Sequence, residues 1–357
     1  MALNYDPPGH LFSVSFAKKT FKAAVLEGIN EPLAILELEI PETLSVGQVL
    51  VRIHYSGICG SQLNEISNVK GNSAKYIPNT LGHEGGGIVV ACGPGVKHVT
   101  IGDHVVIHWR KGVGIDAQFP QYWCSARNRY IGGGANNTFQ EMAIISENRL
   151  TKIPDDVPLA EAALLGCAVT TGLGAVFNDV NLKPGESVIV FGCGGVGLNV
   201  LQGCSLITAY PIVGVDIDDT KLEQALIMGA THTVNSKHAD MKLPITGAFD
   251  AAVDTTGIPA VIELAWKWAK RVCLVAQMRS DKVLSINTTA MQSGKTIFGT
   301  DGGMTDPTVD IPRYVRLLKA GRLNLRGLIT HTTNLDGLNA QLDLTRAGKV
   351  GRGIIKF

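Results

Sequence analysis

The sequence predicts an α/β protein in two parts: a β-rich first part, then a parallel sheet covered by helices on both faces. Two observations carry this. Between Lys22 and about Thr151 the chain runs through short β-rich strings separated by Gly and Pro. From Ser187 to about Thr300 apolar β-runs alternate with helical ones. The 41 glycines among 357 residues, against a usual share of about 7%, add many tight turns and close backbone approaches.

Taken in order, residues up to about Phe21 read as an irregular lead-in. LAILELEI, QVLVRIHYS, HEGGGIVVAC and DHVVIHW then predict strands of a barrel-like or sandwich unit. The texture changes near Pro158, where LAEAALLGCAVTTGLGAVF, rich in Ala and Leu, predicts a helix. After the turn NLKPGE, SVIVFG predicts a strand and GGVGLNVLQGCSL a helix. PIVGVDI predicts a strand, and DDTKLEQALIMGA a helix stopped by glycine. HTVNS, FDAAVDTTG and RVCLVAQ continue the strands, with VIELAWKWAK a helix between the last two. The tail from Pro312 holds one helix, RYVRLLKAG, and a last strand, GRGIIKF; too short to be a domain, it is expected to return to the first part.

Composition excludes several classes. Lys plus Arg is 32 and Asp plus Glu 31, a net charge of +1, which argues against a broad nucleic-acid-binding face. The least polar stretch, Ala160–Phe177, contains Glu161, Thr170, Thr171 and glycines, so no segment reads as membrane-spanning. The N-terminus has no basic residue before Lys18 and carries an early Pro-Pro-Gly, unlike a secretory signal. Seven widely spaced cysteines without a CxxC pattern fit buried or metal-bound thiols better than a disulfide framework. The expected location is the cytoplasm.

Two constellations carry chemistry. Gly192-Cys-Gly-Gly-Val-Gly197 follows the strand SVIVF and opens a helix. Its glycines, Gly192, Gly194, Gly195 and Gly197 with Val196 between them, allow a tight turn and a close approach to a pyrophosphate at a helix N-terminus. Asp216 ends the next strand, 19 residues after Gly197, where a carboxylate accepts ribose hydroxyls and repels a 2′-phosphate, favouring NAD over NADP. Read blandly, this is a glycine turn with Asp216 as a cap. The second set is Cys59 in SGICGS, His83 and Glu84 in LGHEGGG, and Cys167 in LLGCAVTTG. Thiolate, imidazole and thiolate suit zinc and leave a position for substrate, whereas each alone reads equally as a core residue.

Together GICGSQ, GHEGGGIVVACGPGV, GDHVV, AALLGCAVTTG, VFGCGGVGL and GVDIDDTKLEQALIMGATHTVN resemble the medium-chain dehydrogenase/reductase superfamily, specifically its zinc-dependent alcohol and polyol dehydrogenases, from Lys22 to Phe357. The resemblance implies a GroES-like catalytic domain (1–163 and 302–357) and a Rossmann NAD-binding domain (164–301), with an active-site zinc in the cleft between them. It implies Cys59, His83 and Cys167 as zinc ligands, Glu84 as a neighbouring acid that ligates transiently, and Ser61 as the hydroxyl on the substrate oxygen. It implies Thr171 near the nicotinamide, Lys221 near the adenosine ribose, Arg352 at the pyrophosphate and Trp109 in the pocket wall. It also implies a small-molecule substrate and a homo-oligomer, a dimer or tetramer.

Three departures from the family pattern stand out. The stretch HWRKGVGIDAQFPQYWCSARNRYIGGGANN holds one cysteine, Cys124, where many members carry a four-cysteine structural zinc lobe, so one catalytic zinc and no structural zinc is expected. Asn64 stands where a relay histidine is common, and it cannot act as a base near neutral pH; the proton then leaves through Ser61 and the ribose hydroxyls to water, or through another group. Gln62 follows Ser61 in place of the commoner acid or histidine, beside the metal ligands. The implied reaction moves a hydride between a secondary alcohol, of polyol, cyclitol or sugar type, and the nicotinamide. Arg110 and Lys111, next to Trp109, read either as a pocket edge for a polar or anionic substrate or as a solvated loop tip. Competing readings are a zinc-containing NAD(P)H reductase of activated C=C or iminium groups, and a non-catalytic NAD-binding protein.

Overall fold

The structure is a computed structural model and describes residues 19–357 apart from 70, 72, 238–242 and 245. Most of the expected lead-in lies outside the described residues. In chain order the β-rich part comprises β1 (Thr20–Leu26), β2 (Ala34–Glu39), β3 (Gln48–Ile58), α1 (Gly60–Ile66), β4 (Asn79–Thr80), β5 (Gly85–Cys92), β6 (His104–Ile107), β7 (Gln121–Cys124), β8 (Arg129–Gly132), β9 (Met142–Ser146) and β10 (Leu150–Ile153). Then follow α2 (Leu159–Leu164), α3 (Ala168–Gly174), β11 (Val188–Phe191), α4 (Gly195–Leu206), β12 (Ile212–Asp216), α5 (Asp219–Ile227), β13 (His232–Asn235), β14 (Phe249–Asp254), α6 (Pro259–Trp268), β15 (Ala269–Leu274) and β16 (Thr296–Gly299). The chain ends with α7 (Pro307–Lys319), β17 (His331–Thr333), α8 (Leu338–Arg346) and β18 (Gly353–Lys356).

Strands β11 to β16 form one sheet in the order β13-β12-β11-β14-β15-β16, every pair parallel. The order reverses between β11 and β14, the switch point at which doubly wound sheets bind dinucleotides. Both faces are covered, because β11 is wholly apolar and wholly buried. The β-rich part folds as two sheets, β2-β1-β4-β8-β7 and β10-β6-β5-β3-β18-β17 with β9 also on β3. β18 pairs antiparallel with β3 along Gly353–Lys356, so the tail inserts into the sheet whose strand β3 leads to Cys59.

Several local features depart from the sequence reading, among them a strand and a second helix in the tail, β17 and α8. The helix expected across Leu159–Phe177 is two helices, because at Cys167 the backbone leaves the helical region (φ −151°, ψ −72°). Gly166 makes the break possible: a Cβ there would lie 2.2 Å from the carbonyl of Ile107. α3 then runs into a π-helical turn, Ala175–Asp179. α7 begins at Pro307, well before Pro312, with the Asp306 carboxylate accepting from Thr308 N. Finally, the segment expected to replace a zinc lobe contains the hairpin β7–β8, closed by Asn128 at φ +49°. Tyr122 is fully buried in it, its hydroxyl donating to Asn137 Oδ1 (3.1 Å) and accepting from Ile144 N (2.8 Å). Outside, Arg127 and Arg129 both grip Glu27.

Candidate functional site

Three separated segments converge. β3 ends at Ile58, and Cys59 caps the N-terminus of α1. His83 lies just before β5, and Cys167 sits at the break between α2 and α3. One ligand atom from each of Cys59, His83 and Cys167 lies within 4.8 Å of the others, the one such metal-capable group among the described residues. Bonds of about 2.0–2.3 Å to a single ion require that convergence, and two sulfurs with an imidazole are donors that zinc takes. The residues present therefore fit zinc.

The thiols are strongly coupled. The Cys59–Cys167 hydrogen bond, helped by His83 and by the charge of Arg352, pulls the Cys59 thiol well below its ordinary range against the effect of burial. The same bond, together with burial, pushes Cys167 well above it, while hydrogen bonds from Thr171 and Trp109 oppose that rise. Cys59 is thus the sulfur that ionises first, and a cation between the two would favour both thiolates. The amide of Gln62 is buried and ties two ligands together: Oε1 accepts from Cys59 N (2.9 Å) and Nε2 meets Nδ1 of His83. Ser61 Oγ lies 3.4 Å from the same ring nitrogen.

Glu84 stands outside the three-atom group. It is fully buried, and its Oε1 accepts from Arg352 Nη2, while Oε2 has no partner. A Cβ on Gly57 or Gly166 would strike its side chain at 2.6 or 2.8 Å, so those glycines are what let the carboxylate pack behind the ligands. Arg352 links both constellations, because a Cβ on Gly195 would lie 3.1 Å from its Cδ.

The glycine turn has the geometry its spacing predicts. Gly192 has φ +87°, and a Cβ on Gly197 would lie 1.9 Å from the Gly192 carbonyl, so α4 packs directly on the end of β11. Gly194 faces open space. Asp216 accepts from Cys193 N (2.8 Å), Ile217 N (2.7 Å) and Asp218 N (3.1 Å), holding its carboxylate at the turn. Val196 is half-buried in the first turn of α4. Lys221 is in the first turn of α5, with its ammonium 3.9 Å from the place a Gly348 Cβ would take. Thr171 is buried in α3 next to Cys167.

The basic pair beside Trp109 is committed elsewhere. Arg110 pairs with Asp301 at 2.6 Å and Lys111 with Asp116 at 2.5 Å, so neither is a free cation at a pocket edge. His108, one residue earlier, is buried; Nδ1 donates to the carbonyl of Arg110 (2.7 Å) and Nε2 accepts from Thr151 Oγ1 (3.0 Å). Burial lowers its pKa to about 4. The unfolded chain therefore takes up this proton first as pH falls. The contribution of His108 is complete above about pH 6.5 and is lost as pH falls towards 4. Urea unfolding of metal-free protein is expected to show about 2–3 kcal/mol less stability from this site at pH 4.5 than at pH 7. His108→Gln should remove that increment of the pH dependence; an unchanged pH profile would contradict it.

The Gln62 bridge, the Arg110–Asp301 pair and the Glu84–Arg352 pair escape sequence reading, since each joins residues whose proximity only the fold creates. The departure at Gln62 was the one signal in the sequence.

Comparison with known proteins agrees with this geometry. Residues 45–155 match the alcohol dehydrogenase GroES-like domain and residues 195–320 the zinc-binding dehydrogenase domain. The chain is 30% identical to the S-(hydroxymethyl)glutathione dehydrogenase of Paracoccus denitrificans, over 94% of this chain and 99% of that one. Among solved structures it is similar to an alcohol dehydrogenase zinc-binding domain protein from Burkholderia ambifaria (TM-score 0.85, 27% identity, 95% of this chain and 99% of that one). It is also similar to benzyl alcohol dehydrogenase from Acinetobacter calcoaceticus (TM-score 0.82, 26% identity, 95% and 100%). No helix among the described residues is long and apolar enough to cross a membrane. With two thiols and an imidazole converging beside a dinucleotide-binding glycine turn, the chain belongs to the zinc-dependent alcohol dehydrogenases of the medium-chain dehydrogenase/reductase superfamily, and it is an oxidoreductase.

Proposed function

We propose that the protein interconverts an uncharged secondary alcohol, of the polyol or cyclitol type, and its ketone with NAD, using one zinc per chain. The convergence of Cys59, His83 and Cys167 carries this reading. Zinc supplies Lewis-acid polarisation of the substrate oxygen and NAD exchanges the hydride. Everything else falls to the chain. Cys59, His83 and Cys167 would hold the ion, three protein ligands being the number that catalytic zinc sites use. Ser61, beside the ligand ring, accepts the hydroxyl proton and passes it to the ribose hydroxyls and water, since Asn64 has no basic group. Gly192, Gly194, Gly195, Val196 and Gly197 present backbone donors to the pyrophosphate, with Arg352 beside Gly195. Thr171 packs towards the nicotinamide and Lys221 towards the ribose. With Arg110 and Lys111 engaged in ion pairs, a neutral substrate is favoured over a phosphorylated one. The domains are 1–163 with 302–357, and 164–301; the enzyme works as a cytoplasmic homo-oligomer.

A screen of polyols, cyclitols and sugar derivatives with NAD, following the reduced cofactor, tests the substrate class. Turnover of enones with no alcohol oxidation would overturn it. Elemental analysis should find about one zinc per chain, because the described residues offer one ligand set. The Asp216 carboxylate favours NAD by charge. Asp216→Ala is expected to narrow the NAD-over-NADP preference in kcat/KM by about 10-fold, or about 1.4 kcal/mol. A wild-type enzyme faster with NADP would contradict that assignment.

A further inference from the structure

Trp109 stands where two distant stretches of chain meet. Its carbonyl accepts from Arg149 Nη1, and the strand end that leads to it lies beside Cys167, for a Cβ on the neighbouring Gly166 would fall 2.2 Å from the carbonyl of Ile107. The far edge of the ring lies against Gly302, where a Cβ would fall 2.4 Å from Cζ2. The segment that carries Gly302 has an unusual backbone: Gly302, Gly303 and Met304 are all left-handed, at φ +64°, +70° and +44°. A non-glycine residue in that region costs free energy and persists only where its surroundings enforce it.

What enforces it comes from two sides. On one side is Arg110. Its Nε donates to Thr305 O (2.8 Å), and its Nη1 donates to Asp301 O and to Asp301 Oδ2 (2.6 Å), while its guanidinium carbon sits 5.7 Å from the centre of the Trp109 ring. On the other side are α3 and the π-helical turn after it. Asn178 Nδ2 donates to Gly303 O (2.9 Å), Thr305 Oγ1 to Thr170 O (2.9 Å) and Thr300 Oγ1 to Asp179 Oδ2 (2.5 Å). Gly303 must be glycine, for a Cβ there would lie 2.6 Å from the carbonyl of Thr171. Asp301–Thr305 is therefore a strap between the strand end bearing Trp109 and the helix bearing Thr171.

We propose that Arg110 is a positioning residue for the reaction: by clasping Asp301–Thr305 it holds the Trp109 indole against Cys167, so the strap sets both the pocket wall and the environment of one metal ligand. The exposed Asp301 makes the ion pair itself weak (70% side-chain exposure). The hold comes from three acceptors, two of them backbone carbonyls, fixed by one planar guanidinium. Lysine cannot reproduce that fork. The proposal rests on the reading of Cys59, His83 and Cys167 as the metal site.

The test uses full-length protein loaded with cobalt in place of zinc. Arg110→Ala should shift the thiolate-to-cobalt charge-transfer band to lower energy, because a sulfur that loses a hydrogen-bond donor holds its electrons less tightly, and Trp109→Phe should give the same shift. The Trp109 contribution to emission, taken by difference against Trp109→Phe, should move to longer wavelength and become more open to acrylamide. The alcohol KM should rise by about 10-fold, with the NAD KM within about 2-fold. Added ethylguanidinium should restore the band and the KM in Arg110→Ala, and Arg110→Lys should not. Asp301→Asn, which removes the charge and keeps the backbone acceptors, should give a smaller change in the same direction if Arg110→Ala does not fold. Variants that lower the melting temperature yet leave band and emission at their wild-type positions would overturn the proposal. A protein that bound no cobalt would count against the metal reading alone, and the Trp109 emission would still decide for or against the clasp.

Discussion

Cys59→Ser is expected to abolish turnover, by at least about 10³-fold, because the hydroxyl that replaces the more acidic sulfur of the pair is a far poorer zinc ligand at neutral pH. Cys59 follows β3 and caps α1, with its backbone N–H held by Gln62, so serine preserves the backbone and the loss is chemical. Metal content should fall with activity. NAD affinity, read by quenching of protein fluorescence, should stay within about 2-fold, because the glycine turn and Asp216 belong to the parallel sheet. A Cys59→Ser protein that kept its zinc and its turnover would remove Cys59 from the ligand set.

Ser61→Ala should lower kcat by about 10²–10⁴-fold, the range of a positioned proton-transfer group, with zinc content unchanged. Ser61 is in the first turn of α1, two residues after Cys59, with its hydroxyl beside the ring of His83. Asn64→Ala should have a small effect, since an amide moves no proton at neutral pH. Asn64→His supplies the missing base and should raise the rate at moderately acidic pH. Steady-state kinetics on the three variants decide the matter. A Ser61→Ala enzyme with near-normal kcat on an alcohol would take Ser61 out of the proton path.

The amino-acid sequence by itself determined whatever depends on local chemistry. Apolar β-runs alternating with helices dictate a parallel sheet because β11, apolar at every position, has no polar face to leave in water. Gly192 and Gly197 are legible as a phosphate turn because a left-handed residue and a 1.9 Å approach to backbone tolerate no side chain. Cys59, His83 and Cys167 could be grouped because the motifs around them are distinctive. Only the tertiary structure decided the rest. The break in the helix at Cys167 runs against a good local helical pattern; Gly166 is pressed against the carbonyl of Ile107, a residue far away in sequence. Arg110 and Lys111 look like a solvated or substrate-binding pair until the fold brings Asp301 and Asp116 to them. Glu84 reads from sequence as an acid beside the metal ligands, and only the fold brings Arg352, 268 residues away, to one of its oxygens. Propensity and spacing act over a turn or a strand, whereas partners for buried charges and donors come from whichever segments the packed sheets bring together.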